Sequence, residues 1–203
     1  MFTGIVQGVG VVTQVADRKG IRRLQIRMPE GNDQELATGA SIAINGLCLT
    51  VVGWDDQGIQ FDVIDESLRL SNLSSLRVGS LVNVERAARF GDEIGGHVLS
   101  GHIHGLAKVI NVVQAEENLA FWVSIPAALS KYVLPKGYVS LNGCSLTVGE
   151  LVKDGQFSIH LIPETRAQTT FEQVTSGDQL NLEIDSQTQA IVDTVERVLD
   201  QRL

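Results

Sequence analysis

The chain has 203 residues, enough for one large domain or two small ones. Hydrophobic residues make up 43% and charged residues 20%, the balance of a globular protein rather than a disordered one. A net charge of −8 and few aromatic residues exclude a phosphate-backbone binder, which needs a basic stripe and stacking platforms.

Taken in chain order, the start MFTGIVQGVG has neither the basic opening nor the small-residue cleavage site of a secretory signal. No apolar run nears the ~20 residues of a membrane helix. A cytoplasmic protein is expected, and the two cysteines, with no CxxC, fit a reducing compartment. Ile5 to Val15 is β-branched and punctuated by glycine; Gly4, Gly8 and Gly10 form no dinucleotide fingerprint, because no helical pattern follows them. Arg23 to Arg27 alternates with period two, as a half-buried strand does. Ile42–Ile44 and Leu49–Val52 flank Asn45-Gly46, which predicts a tight hairpin turn. Ile59–Ile64 and Leu81–Glu85 complete six short strands without a long helix, the pattern of a small closed barrel. Further on, Pro126 is placed to open a short helix over 127–133. Ser186 with Gln189 reads as a capping box that starts a C-terminal helix. Ile191, Val195, Val198 and Leu199 form one apolar stripe of that helix, opposite Asp193, Glu196, Arg197 and Asp200. The stripe has two candidate partners, its own barrel or further copies of the chain.

Shifted by 97 residues, the chain overlays itself. Thr3 to Gly8 falls on Ser100 to Gly105, Pro29 on Pro126, and Asn45 to Val51 on Asn142 to Val148. With one residue of drift, Glu66-Ser67 meets Glu164-Thr165, and Asn83-Val84-Glu85 meets Asn181-Leu182-Glu183. The barrel unit of 1–97 is therefore written again over 98–186 and followed by the helix 187–203. The fold class is all-β: two tandem six-stranded, Greek-key-like barrels plus a C-terminal α-helix.

The residues able to do chemistry are few. Cys48 follows the hairpin turn and reads either as a small core residue or as a nucleophile or thiolate base. Its counterpart is Ser145, whereas Cys144 overlays Leu47 and reads as structural. His97, His102 and His104 cluster at the junction of the repeats, where packing, acid/base work and a metal site are the alternatives. Ser41, Thr50, Asp62, Glu66, Ser67, Thr147, Glu164, Thr165 and Asp185 stand where strands end or turn. At matching places in both units they suit a polar heterocycle with a polyol tail.

The strings MFTGIVQG, NGLCLTV, VNVERA, EIGGHVLSGHI, NGCSLTVGE, HLIPET and DTVERVL, in order over the whole chain, resemble the riboflavin synthase family, built of two lumazine-binding repeats. The resemblance implies a transferase that dismutates two molecules of 6,7-dimethyl-8-ribityllumazine into riboflavin and 5-amino-6-ribitylamino-uracil. It implies no cofactor or metal, a homotrimer assembled through the C-terminal helix, and association with lumazine synthase. Carried over by position, one pocket involves Gly4, Ile5, Val6, Cys48, Leu49, Thr50, Asp62, Val63, Ile64, Asp65, Glu66 and Ser67. The other involves Gly101, His102, Ile103, Lys136, Ser145, Leu146, Thr147, Ile162, Pro163, Glu164, Thr165, Arg166 and Ala167. Phe2, Ser41, Cys48, His97, His102 and Asp185 are the residues expected to matter for turnover. In that set His102 transfers a proton, Cys48 is nucleophile, base or close contact, Phe2 walls the pocket and Asp185 orients a donor. Asn142 departs from the pattern, since many relatives carry Asp there, a candidate base. The competing reading is a non-catalytic lumazine or flavin carrier of the lumazine-protein type, whose members tend toward a degraded second repeat; SGHI, SLTV, IPET and the helix all persist here.

Overall fold

The computed structural model describes residues 1–114, 118–152 and 155–201. The first barrel comprises β1 (Gly8–Arg18), β2 (Ile21–Arg27), β3 (Ser41–Ile44), β4 (Leu47–Asp55), β5 (Gly58–Ile64) and, after the short helix α1 (Asp65–Leu70), β6 (Leu81–Arg86). It closes in the order β1-β2-β5-β4-β3-β6, every pairing antiparallel. The second repeats the plan with β7 (Gly105–Gln114), β8 (Leu119–Ser124), β9 (Tyr138–Leu141), β10 (Cys144–Thr147), β11 (Leu151–Val152), β12 (Gln156–Leu161), helix α2 (Pro163–Gln168) and β13 (Gln179–Ile184). Its sheet runs β10-β9-β13-β7-β8-β12-β11, the same order with the fourth strand in two pieces. The break lies where β4 shifts register against β5, between Val51 and Gly53. In the second barrel the Ser158 hydroxyl accepts the Glu150 amide at 3.0 Å, which takes the place of a ladder bond and makes a bulge.

The alternation read in β2 has its physical basis in the core. Leu24 and Ile26 are fully buried inside the first barrel, beside Ile42, Ile44 and Phe61. Phe121, Phe157, Phe171 and Leu141 fill the second. Segment 127–132 is a 3-10 helix flanked by Pro126, where a short helix is expected.

The first strand begins at Gly8, three residues later than its sequence suggests, because the residues before it leave their own barrel. Val6 is buried in the core of the second barrel, and its counterpart Ile103 in the core of the first. The Ser145 amide donates to the Gly4 carbonyl, and the Cys48 amide to the Gly101 carbonyl, each at 2.8 Å. Phe2 and Leu99 bridge the crossing. Two buried carboxylates hold it. Glu85 accepts from the Thr3 amide at 2.6 Å, the Thr3 hydroxyl at 2.8 Å and the Gly4 amide at 3.1 Å. Glu183 does the same for the amide and hydroxyl of Ser100, both at 2.7 Å, and the Gly101 amide. Burial pushes both carboxyls above their usual pKa, opposed by those hydrogen bonds.

At the seam between the barrels the two hairpin turns touch. Asn45, Gly46, Asn142 and Gly143 all have positive φ, and a Cβ on Gly46 would lie 2.6 Å from the Gly143 amide nitrogen. Glycine is required there by the close approach as much as by the turn. Four buried asparagines tie the seam. The Asn83 side chain donates to the Asn142 carbonyl at 2.9 Å and that of Asn181 to the Asn45 carbonyl at 2.8 Å. Asn142 Oδ1 accepts the Asn181 amide at 2.8 Å and the Asn72 side chain at 3.0 Å. Asn142 therefore belongs to the seam. A polar cleft of about 450 Å3 beside it is lined by Asn45, Asn72 and Asn142, whose amides are engaged with one another.

Helix α3 (Ser186–Asp200) is capped by Asp185, one residue before the expected Ser186: its carboxylate accepts from the amides of Gln187 and Thr188. Asp reaches both amides, so Ser186 becomes the first helical residue. The polar side of α3 faces its own barrel. Tyr132 donates to Asp193 at 2.5 Å and Lys131 pairs with Glu196, while Val192 packs against the core. Ile191 at 65%, Val195 at 52% and Leu199 at 56% stay exposed, so the apolar stripe does not cover its own barrel. No helix among the described residues is long and apolar enough to cross a membrane.

The seam makes a test. Asn181→Ala removes two hydrogen bonds and leaves the buried Asn45 carbonyl and Asn72 amide unpaired. The expected cost is about 2–4 kcal/mol, or roughly 4–15 °C of Tm for a chain of this size. Calorimetry giving an unchanged Tm would contradict the role assigned to the asparagines.

Candidate active site

The exchange of leading segments regroups the candidate residues. Gly4, Ile5 and Val6 lie against the second barrel beside Ser145, and Gly101, His102 and Ile103 lie against the first beside Cys48. Each half-site thus joins a segment from one repeat to a barrel from the other. The two position sets read along the sequence are crossed, because repeats with the same pattern do not say which barrel each segment covers.

The second half-site is a cavity of about 480 Å3, lined by Gly4, Ile5, Val6, Gln7, Cys144, Ser145, Glu164, Thr165, Gln168 and Thr169. Period two in β10 points Ser145 and Thr147 to one face and sends Leu146 into the core. Ile162, exposed at 64%, precedes α2, whose first turn carries Pro163, Glu164 and Thr165. Gln168 and Thr169 follow Glu164 and Thr165 by one helical turn, a spacing that becomes visible only once α2 is known to be a helix. Arg166 is committed to Glu172 at 2.8 and 2.9 Å, and Ala167 and Lys136 do not line the cavity. Lys136 stands on an exposed turn with φ 64°, its amide bonded to the Val148 carbonyl.

In the first half-site Cys48 is half-buried, with Thr50 exposed on the same face and Leu49 in the core. Ser41, at the start of β3, sits opposite Thr50. Ile64, exposed at 53%, leads into α1, where Asp65, Glu66 and Ser67 follow. Val63 is core, and Asp62 is held by Arg23 through two hydrogen bonds of 2.7 Å, which keep its carboxyl below the usual range. His102 is exposed beside Cys48, its amide bonded to the Ser100 hydroxyl at 3.2 Å. Phe2 is fully buried with Ala43 and Leu99, packed against Cys48; it backs the thiol and is not among the residues lining the cavity of the second half-site.

The three histidines have separate surroundings. His97 Nδ1 lies 2.7 Å from the Ser145 hydroxyl. His104 Nδ1 accepts the Ile184 amide at 3.3 Å and its Nε2 meets Gln189 at 3.2 Å, tying the segment after His102 to α3. No three His, Cys, Asp or Glu side chains among the described residues converge as metal ligands. Burial lowers the His97 pKa, against the pull of the nearby Asp185 charge. Burial also opposes ionisation of Asp185, but bonds from the Thr188 hydroxyl and the helix amides outweigh it and hold its pKa down. Tyr138, not among the sequence candidates, stacks on His97 at 5.2 Å; its one sequence signal was that it overlays Ser41.

Similarity to known proteins supplies the family. The model of the lumazine binding domain matches twice, over residues 3–87 and 100–185. A riboflavin synthase of Escherichia coli (strain K12) is 47% identical over 203 residues, all of this chain and 95% of that protein. Another, of Mycobacterium bovis, is 41% identical, covering 91% of this chain and 93% of that one. A crystal structure of LumP complexed with 6,7-dimethyl-8-(1'-D-ribityl) lumazine superposes with a TM-score of 0.83 at 27% identity, over 91% of this chain and 99% of that one. The crystal structure of LumP complexed with riboflavin gives 0.85 at 28%, with the same coverage. The chain belongs to the riboflavin synthase family, with two lumazine-binding domains in tandem.

The two cysteines differ in burial. Burial, with the charge of Glu85 adding to it, pushes the Cys144 thiol up to about 12, so almost none is thiolate near neutral pH. Iodoacetamide at about pH 8 should alkylate half-buried Cys48 while Cys144 stays unmodified until the protein is denatured. Peptide mapping that finds Cys144 labelled first would contradict the placement.

Proposed function

We propose that the chain is a riboflavin synthase: a transferase that takes two molecules of 6,7-dimethyl-8-ribityllumazine and moves a four-carbon unit from one to the other, giving riboflavin and 5-amino-6-ribitylamino-uracil. The observation that carries this is the pair of half-sites of one plan in a chain 47% identical to a riboflavin synthase over its whole length. A dismutation of two identical molecules needs two similar pockets. Holding both substrates in reactive geometry removes the cost of their encounter, which well-oriented systems put at up to roughly 7–11 kcal/mol. The C7 methyl group of a lumazine is acidic, because its anion spreads over the heterocycle, so a modest base suffices.

The finer assignments belong to the same reading. We infer that 1–97 and 98–186 act as the two lumazine-binding units, with their leading segments exchanged, and that helix 187–203 assembles a homotrimer. Exposed Ile191, Val195 and Leu199 support that assembly. A first half-site of one subunit would then face a second half-site of its neighbour. His102 and Cys48 serve the first half-site, as proton-transfer group and as nucleophile, base or close contact. The free thiols Cys48 and Cys144 favour a cytoplasmic setting. Lumazine synthase is the partner protein that the family resemblance suggests.

The LumP structures keep a second reading in view, a carrier that binds lumazine without turnover. Incubation with 6,7-dimethyl-8-ribityllumazine separates the two. The synthase yields riboflavin and the pyrimidine in equal amounts, one of each per two substrates consumed. Tight binding with unchanged substrate would establish the carrier. Val195→Glu should convert the trimer to monomers in sedimentation and cut turnover at least tenfold; an active monomer would contradict a site shared between subunits.

A further inference from the structure

The half-sites share one plan and differ where chemistry would be done. In the first, the Cys48 thiol has no hydrogen-bond partner among the described residues. In the second, the Ser145 hydroxyl lines the cavity and lies 2.7 Å from His97 Nδ1. The chain brings the imidazole in closely: a Cβ on Gly96 would lie 2.6 Å from Ser145 Cβ and 2.4 Å from the Thr3 carbonyl oxygen. His97 is 7% exposed, its ring stacks on Tyr138 with 17° between planes, and its Nε2 is buried without a hydrogen-bond partner among the described residues. A histidine kept for structure usually has both nitrogens satisfied. Among the described residues this one makes a single polar side-chain contact, to a hydroxyl facing an open cavity of substrate size.

We propose that Ser145 and His97 form the proton-transfer unit of the second half-site, with Ser145 as the catalytic hydroxyl that touches the lumazine and His97 as the positioning residue and proton acceptor behind it. This rests on the second half-site binding a lumazine. In the step, a C–H bond of the C7 methyl group breaks, its proton passes to Ser145 Oγ, and the hydroxyl proton passes to His97 Nδ1. The electron pair stays on the substrate, delocalised over the heterocycle, and no oxidant or reductant is needed. Burial of the ring opposes the imidazolium that forms, the Asp185 charge offsets part of that cost, and the same path in reverse returns the proton. The two half-sites are therefore unequal: the carbon acid is opened in the second, on the barrel that carries Ser145, and of the roles named for Cys48 in the first, nucleophile or close contact remain.

The test is exchange of the C7 methyl protons with D2O, followed by NMR and corrected for the uncatalysed rate, beside steady-state turnover. His97→Asn places an amide where Nδ1 stood, so it retains a hydrogen bond to Ser145 but cannot take up a proton. Ser145→Ala removes the relay without disturbing the buried ring. Both variants should bind lumazine within about threefold of wild type and lose roughly 100-fold or more of catalysed exchange and kcat. Exchange at the wild-type rate in either variant overturns the proposal. A wild-type protein that binds lumazine and exchanges its methyl protons without forming riboflavin would sink the synthase reading and leave this unit standing. Turnover that persists together with exchange in His97→Asn would do the opposite.

Discussion

The architecture depends on two buried carboxylates. Glu85 and Glu183, at the ends of the last strands of the two barrels, each take two amides and a hydroxyl from the segment that crosses to the other barrel. A carboxylate in that setting is tolerated only while its hydrogen bonds are made. The crossing is thereby fixed in place, and with it Val6 and Ile103 as members of the opposite cores. Neither barrel is complete alone, since each takes a buried aliphatic side chain and one wall of its half-site from the other repeat. Units of under a hundred residues bury modest cores of their own, and that sharing adds buried apolar surface to each.

Duplication followed by crossing gives two half-sites that begin equal, and a few residues then make them unequal. Cys48 in one repeat corresponds to Ser145 in the other and Ser41 to Tyr138, and His97 lies with Ser145 and Tyr138 in the second half-site. At the seam, by contrast, the asparagines keep their symmetry: Asn83 and Asn181 make equivalent bonds to opposite turns. Geometry is kept between the repeats where the barrels touch one another, and side-chain chemistry differs where they line the half-sites.

Much of this was legible in the sequence, for identifiable reasons. The offset of 97 residues revealed the repeat; alternation in β2 and the Asn45-Gly46 turn gave the barrel, because burial has a period and tight turns need positive φ. The crossing was not legible. Val6 and Ile103 occupy equal positions in equal repeats, and nothing local distinguishes a segment that covers its own barrel from one that covers its neighbour's. The short helices α1 and α2 were missed because six residues carry little periodicity, and Gln168 and Thr169 were missed with them. The resemblance gives Asp185 the role of orienting a donor; the structure adds that it caps α3, a role that the sequence pattern assigns to Ser186. Asn142, where the resemblance leads one to look for an aspartate base, is a seam residue whose side-chain oxygen accepts from the Asn181 amide and the Asn72 side chain.

The central claim is that one chain carries two unequal lumazine sites, each assembled from both repeats. The most direct test is calorimetric titration with an unreactive lumazine analogue that keeps the ribityl chain. The account requires two molecules bound per chain, with distinct affinities, and loss of only the tighter or only the weaker class when Ser145 is enlarged by Ser145→Phe. A single class of one molecule per chain, or loss of both classes together, would contradict it.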